Sequence, residues 1–375
     1  MINKKRLIRL TQDLLRINSE NPPGDERAIA HFVSGYLKKM GLRPKTISFY
    51  PRRDNILAVL PGRRSRRQLL ITPHLDTVPA GTGWKYGPFS GDISGGKIYG
   101  RGATDCKGNL AVALEAMQSL IEDNIHLDND IIFLATADEE AGSGKGLIPF
   151  LERGIVKPAY ALILDSDEFN IITAQKGLIH FKVKVAGLKA HGAYPQRGVN
   201  AIEQALKLIG ILKKMKFGFS RHSLLKPPTI NIGTIRGGDK VNMVADWCEF
   251  EADLRFLPGM EARKILSDIK KGFDKAKPKI SFTIKPDDIQ QPYEIGSKHP
   301  LVDSLKKASR GIVRRPEVKG SEGATVITFF KKKNIPAVAT GYGAKGCAHA
   351  TDEYVRVNDL YRGARVLERF LKICC

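Results

Sequence analysis

The chain has 375 residues, 42% hydrophobic and 27% charged, enough apolar material for a large buried core and more chain than one compact domain usually takes, so two domains are expected. No stretch approaches the roughly 18 uninterrupted apolar residues of a membrane span, which argues against a membrane protein. The net charge of +22 comes largely from lysine-rich runs such as KKMK, IKKGFDKAK and FKKKN, which lack the aromatic interleaving of single-strand binders. It reads as solvated surface rather than a specific nucleic-acid site, with a field that attracts an anionic substrate or holds the protein loosely on nucleic acid as the sharper alternative.

In chain order, MINKKRLIRLTQDLLRI breaks its apolar positions with charge at every turn and reads as an amphipathic first helix, not a signal peptide. Residues 25–41 follow as a helix, with Asp25 as its cap, apolar positions at Ile29, Phe32, Val33, Tyr36, Leu37 and Met40, and Gly41 as its stop. NILAVLPG and QLLITPH read as buried strands, and the Arg63, Arg64, Arg66 and Arg67 cluster between them as a hairpin tip. DIIFLATA, YALILD and PAVATGYG are further buried strands. Helical patterns over 108–124, 143–153, 298–310 and 357–373 alternate with them, the signature of an α/β layer fold with a mixed central sheet flanked by helices.

The middle of the chain is organised differently. From about 178 to 286 the order is strand, helix, strand, strand, helix, strand, the βαββαβ ferredoxin-like pattern. CEFEADLRF alternates apolar and charged residues as a sheet with one open face does. The expected division is a catalytic domain of 1–177 and 290–375 with an α+β domain, 178–289, inserted in it. Five cysteines (Cys106, Cys248, Cys347, Cys374 and Cys375) without paired spacing argue against a disulfide framework, so a cytoplasmic setting is expected.

Five short segments at predicted strand ends concentrate ligand chemistry: PHLDT, RGATDCKG, TADEEAGS, LILDSD and CAHATDE. They supply His74, Asp76, Asp105, Glu139, Glu140, Asp165 and His349, imidazole and carboxylate donors that suit Zn²⁺, with Co²⁺ or Mn²⁺ able to substitute. Adjacent like charges at a strand end, as in Glu139–Glu140, are costly unless a cation compensates them. His31, His126, His180, His222 and His299 lack such company and read as structural. AGSGKG fails as a phosphate loop, because Glu139 and Gly146 stand where glycine and Ser/Thr are required.

The order and content of these segments resemble the dinuclear zinc peptidases and deacylases, the family of acetylornithine deacetylase, succinyl-diaminopimelate desuccinylase, aminoacylase and glutamate carboxypeptidase. The likeness runs from the first helix to the last. It implies two zinc ions per subunit bridged by Asp105, with His74 and Asp165 on one and Glu140 and His349 on the other. Asp165 is preferred over Asp167 and Glu168 by its register to AQKG. The resemblance also implies that Asp76 orients the His74 imidazole and that Glu139 is the general base. Cys106 stands where relatives often carry methionine, and it reads as a small apolar filler.

From the inserted domain, His191 in KAHGAYP matches a histidine that stabilises the oxyanion in a partner subunit's site, which implies a homodimer with a lid and dimerisation domain. Asn242 and Arg255 match substrate-binding residues, Arg255 for a substrate carboxylate. The implied reaction is hydrolysis of an amide bond in an N-acyl amino acid by metal-activated water. Asp165, where many relatives carry Glu-Pro, and Val326, where an acidic residue is common, leave open a dipeptidase, aminopeptidase or carboxypeptidase acting on short peptides. A non-catalytic binder of the same fold and a basic nucleic-acid-associated protein are the remaining alternatives.

Overall fold

The chain divides into two compact units: Met1–Thr173 with Ile295–Lys319 and Phe329–Cys375, and Ala174–Glu294 with Gly320–Thr328. The computed structural model describes every residue except Ser65, Arg66, Ser166 and Arg315, so Arg66 of the arginine cluster lies outside the described residues. The sequence reading assigns all of 290–375 to the first domain, whereas Gly320–Thr328 clusters with the second unit. There Gln175 Oε1 accepts from Thr325 N and Oγ1 at 3.1 and 2.8 Å, and Lys176 pairs with Glu322 at 2.6 Å.

The first unit is built on a mixed sheet. From one edge its strands run Lys45–Ser48, Asp54–Leu60, Ile131–Ala135, Leu69–Thr72, Tyr160–Leu164 and Ala337–Thr340. The central pairs Leu69–Thr72 with Ile131–Ala135, Leu69–Thr72 with Tyr160–Leu164, and Tyr160–Leu164 with Ala337–Thr340 are parallel. Every residue of IIFLA is buried, as expected where helices cover both faces of a sheet. Helix Lys107–Glu122 is almost wholly buried and packs against helix Val357–Cys374, closing a core with Leu110, Leu114, Met117, Leu367 and Phe370 in it. Because the parallel strands end along one edge of the sheet, the residues just after them are gathered there.

Several local expectations are corrected. Strands Asp54–Leu60 and Leu69–Thr72 do not pair with each other, since both pair with Ile131–Ala135. The arginine-rich segment between them is therefore a crossover and not a hairpin tip; Arg63 N and Arg64 N donate instead to Leu127 O and Asp128 O. The second helix is Arg27–Lys39, slightly shorter than expected, with Glu26 rather than Asp25 at the cap position and its carboxylate turned inward to Arg53. Helix 143–153 shrinks to Leu147–Glu152. A left-handed Ser143 (φ 62°) precedes it, and Gly146 sits where a Cβ would meet Ala137 O at 1.9 Å. The fully buried strand Ile171–Gln175 has no counterpart in the sequence reading.

In the second unit the four strands are ordered Thr229–Gly237, Trp247–Phe256, Gly177–Ala186 and Ser281–Gln290, all antiparallel. Helices Ala201–Lys214 and Ala262–Asp274 bury Leu208, Leu212, Ile265, Ile269 and Phe273 with the inward residues Phe250, Ala252 and Leu254. The outward residues form cross-strand ion pairs instead, with Lys182 reaching Glu249 and Glu251 at 3.1 Å. That division of the two faces is what the CEFEADLRF alternation encodes.

Candidate metal centre

His74, Asp105, Glu139, Glu140, Asp165 and His349 all lie in the first unit. His74 follows strand Leu69–Thr72 and continues its pairing through a bridge to Thr136. Glu139 and Glu140 occupy a single 3₁₀ turn, Glu139–Ala141, just past strand Ile131–Ala135. Asp165 ends strand Tyr160–Leu164, its N–H donating to Thr340 O at 3.1 Å. Asp105 precedes helix Lys107–Glu122, and His349 sits at a left-handed position (φ 62°) in the loop after Ala337–Thr340.

The structure brings these residues together. His74 Nε2 lies 2.9 Å from Asp105 Oδ1, and His349 Nε2 lies 3.2 Å from Asp105 Oδ2 and 3.3 Å from Glu140 Oε2. One carboxylate thus faces two imidazoles, one oxygen to each. Three groups, His74–Asp105–Cys106, His74–Glu139–Asp165 and Asp105–Glu140–His349, each have ligand atoms within 4.8 Å of one another.

The electrostatics are those of a cluster short of positive charge. Burial opposes ionisation of Asp105, but hydrogen bonds to His349 and His74 outweigh it and hold the carboxyl well below its usual range. Burial and then the Asp105 charge push Asp165 up to about 7. Burial and Asp165 raise Glu139 well above the ordinary carboxylate value. His349 is pushed up to about 10 by its hydrogen bonds to Asp105 and Glu140. Added positive charge at this cluster would therefore be stabilised. Glu140 Oε1 is buried without a hydrogen-bond partner among the described residues, an acceptor left for a ligand. The mixed imidazole and carboxylate donors therefore fit borderline divalent metals.

Asp76 does more than the sequence reading assigns it. The His74 Nδ1 atom lies 2.9 Å from the Asp76 carbonyl oxygen and 3.5 Å from its carboxylate. The carboxylate instead accepts from Glu139 N at 3.0 Å, Glu140 N at 3.1 Å and Asn21 Nδ2 at 2.9 Å. It caps the turn that carries the glutamate pair. Cys106 behaves as a neutral filler, its thiol pushed up to about 12 by burial, with Sγ accepting from His74 N at 3.1 Å.

Sequence reasoning missed Glu353 as a positioning group. Its carboxylate accepts from Gly102 N, Thr104 N and Asp105 N at 3.0, 2.8 and 3.0 Å and from Arg101 Nη1 at 2.7 Å. Both side chains of the Arg101–Glu353 pair are buried. Arg101 also donates to His349 O at 3.3 Å, so one buried ion pair ties the Asp105 loop to the His349 loop. The signal lies in the motif CAHATDE, whose final residue is this glutamate.

The other candidates belong to the second unit. His191 and Asn242 are neighbours on exposed loops, joined by Gly192 N to Asn242 O at 2.8 Å and by a His191–Met243 bridge. Arg255 already donates from Nε and Nη2 to Asp253 at 2.7 and 2.9 Å, so the fork expected to take a substrate carboxylate is engaged by a neighbour two residues away.

A mixed α/β sheet with carboxylates and imidazoles gathered at its strand ends has the donor set of a metal-binding site. The chain belongs to peptidase family M20/M25/M40, whose pattern it matches over residues 70–373. It is 27% identical to the acetylornithine deacetylase of Photorhabdus laumondii over 363 residues, 93% of this chain and 90% of that one. Among solved structures it resembles the aminopeptidase PepT of Bacillus cereus, at 25% identity and a TM-score of 0.83 over 99% of both chains. A dinuclear metal binding peptidase of the M20 family from Bacillus subtilis shares its fold, with 15% identity and a TM-score of 0.76 over 99% and 98% of the two chains. Among the described residues no helix is long and apolar enough to cross a membrane.

Proposed function

We propose that the protein hydrolyses the amide bond of an N-acyl amino acid, of the acetylornithine or succinyl-diaminopimelate kind, at a two-zinc site. The observation that carries this reading is Asp105, whose two oxygens face His74 and His349, the placement required of a carboxylate shared by two cations. His74 and Asp165 would complete one site and Glu140 and His349 the other, with Co²⁺ or Mn²⁺ able to replace zinc. Bound there, the metals would polarise the scissile carbonyl and lower the pKa of the attacking water. The chain itself moves the proton. Glu139, whose proton affinity burial and Asp165 raise, takes a proton from that water at its carboxylate and returns it to the leaving nitrogen. Asp76 fixes the turn from which Glu139 projects.

His191 would stabilise the developing oxyanion, offered to the site of a second copy of the chain, which makes a homodimer the working assembly. Asn242 would orient the substrate, and Arg255 would bind its carboxylate through the N–H groups that Asp253 leaves open. Five free cysteines suit the cytoplasm.

A peptidase reading is favoured by Asp165 and by the likeness to the Bacillus cereus aminopeptidase. A panel of N-acetyl and N-succinyl amino acids beside free di- and tripeptides separates the two. Chelator-sensitive release of amine from the acyl amino acids supports the first reading; preference for free peptides replaces it with the second. A protein that hydrolyses neither group and binds no metal would be a binder of the same fold.

A further inference from the structure

Arg53 has no place in the sequence reading, yet it is 3% exposed and lies at the centre of a buried ion network. Its Nη2 is shared between Asp138 Oδ1 and Glu26 Oε1, the latter at 3.2 Å. Gly24 makes the room, because a Cβ there would lie 1.1 Å from Arg53 Nη1.

Asp138 immediately precedes the Glu139–Glu140 pair. It is a non-glycine residue in the left-handed region (φ 66°), a conformation that costs about 1–2 kcal/mol and persists only when its surroundings enforce it. What enforces it is visible. Asp138 Oδ2 accepts from Lys145 N at 2.9 Å, Asp138 O accepts from Ser143 N at 2.6 Å, and Asp138 N donates to Glu26 Oε1 at 3.4 Å. Asp76 holds the turn from one side through the Glu139 and Glu140 amides. Asp138 holds it from the other, and Arg53 is the guanidinium that anchors Asp138.

We propose that Arg53 is a positioning residue for the general base, acting through Asp138 to hold the Glu139–Glu140 turn in its left-handed entry. The assignment of Glu139 as base rests on the function proposed above; the holding of the turn does not.

The test uses the full chain as wild type, Arg53→Met, Asp138→Asn and the double variant. Hydrogen exchange in a peptide covering residues 137–146 reads the turn whether or not the protein is active. Arg53→Met should speed exchange there at least tenfold while leaving the Val357–Cys374 helix unchanged. With the best substrate of the panel, Arg53→Met and Asp138→Asn should each lower kcat by 10- to 100-fold. KM should stay within threefold and metal content should be retained. The double variant should be no worse than the poorer single one, since both act through one contact.

Unchanged exchange in 137–146, or losses in kcat that multiply in the double variant, would overturn the proposal. If Arg53→Met does not fold, Arg53→Lys, which keeps the charge but not the fork, is read by the same two criteria. A wild type that hydrolyses nothing refutes the functional reading alone, because the exchange result still decides the role of Arg53.

Discussion

Removing the Glu353 carboxylate should damage both stability and the metal site. Glu353→Ala strands three N–H groups, two of them buried and the third part-buried, and leaves the buried Arg101 guanidinium without its carboxylate. An unsatisfied buried donor costs about 1–3 kcal/mol, and breaking a buried ion pair from one side costs about 3–5 kcal/mol. These losses share one group and do not add, so about 3–5 kcal/mol is the expected total. Urea unfolding of the metal-stripped protein measures it free of metal linkage. Because Asp105 N is one of the stranded donors, zinc affinity in a competition titration should fall by roughly 10- to 100-fold. A loss below about 1 kcal/mol with unchanged zinc affinity would refute the reasoning, since the magnitude of the ion-pair term leaves no room for it.

Burial, with Asp76 next and Arg53 opposing, pushes Glu26 up to about 7 from 4.5. A raised folded value means that the folded state keeps a proton the unfolded chain releases. The stabilisation is full below pH 4.5 and is lost as pH rises through 7, about 3 kcal/mol over the window at about 1.4 per pH unit. Glu26→Gln carries no such proton, so its stability relative to wild type should improve by roughly 2–3 kcal/mol between pH 5 and pH 8 in urea titrations; a constant difference would contradict this. Gly363 lies within helix Val357–Cys374, where alanine would ordinarily stabilise by about 1 kcal/mol. Its Cβ would meet Tyr342 Cγ at 2.4 Å, so Gly363→Ala should instead lower Tm, with an overpacking cost of about 1–3 kcal/mol; a raised Tm would show that the Tyr342 ring yields.

The layer architecture was legible because buried strands such as IIFLA and YALIL announce themselves by apolar runs and end in the ligand motifs. Pairing was not legible. Nothing near the arginine cluster reveals that Ile131–Ala135, some seventy residues on, inserts between its flanking strands. The left-handed Asp138 and the Arg53–Glu26 contact were hidden for a related reason: buried ion networks have no periodicity, and their partners are scattered along the chain. Arg255 is different. Asp253 stands two residues before it on the same strand face, so their pairing followed from strand geometry alone and was available to be read.

The central claim is that Glu139 transfers the proton at a two-metal site. The most direct measurement is metal content and single-turnover hydrolysis for wild type beside Glu139→Gln. Two zinc ions in both proteins, with the chemical step slower by at least about 10²- to 10⁴-fold in the variant, is the expected result. A variant within tenfold of wild type, or a wild type that is active while holding no stoichiometric metal, would contradict it.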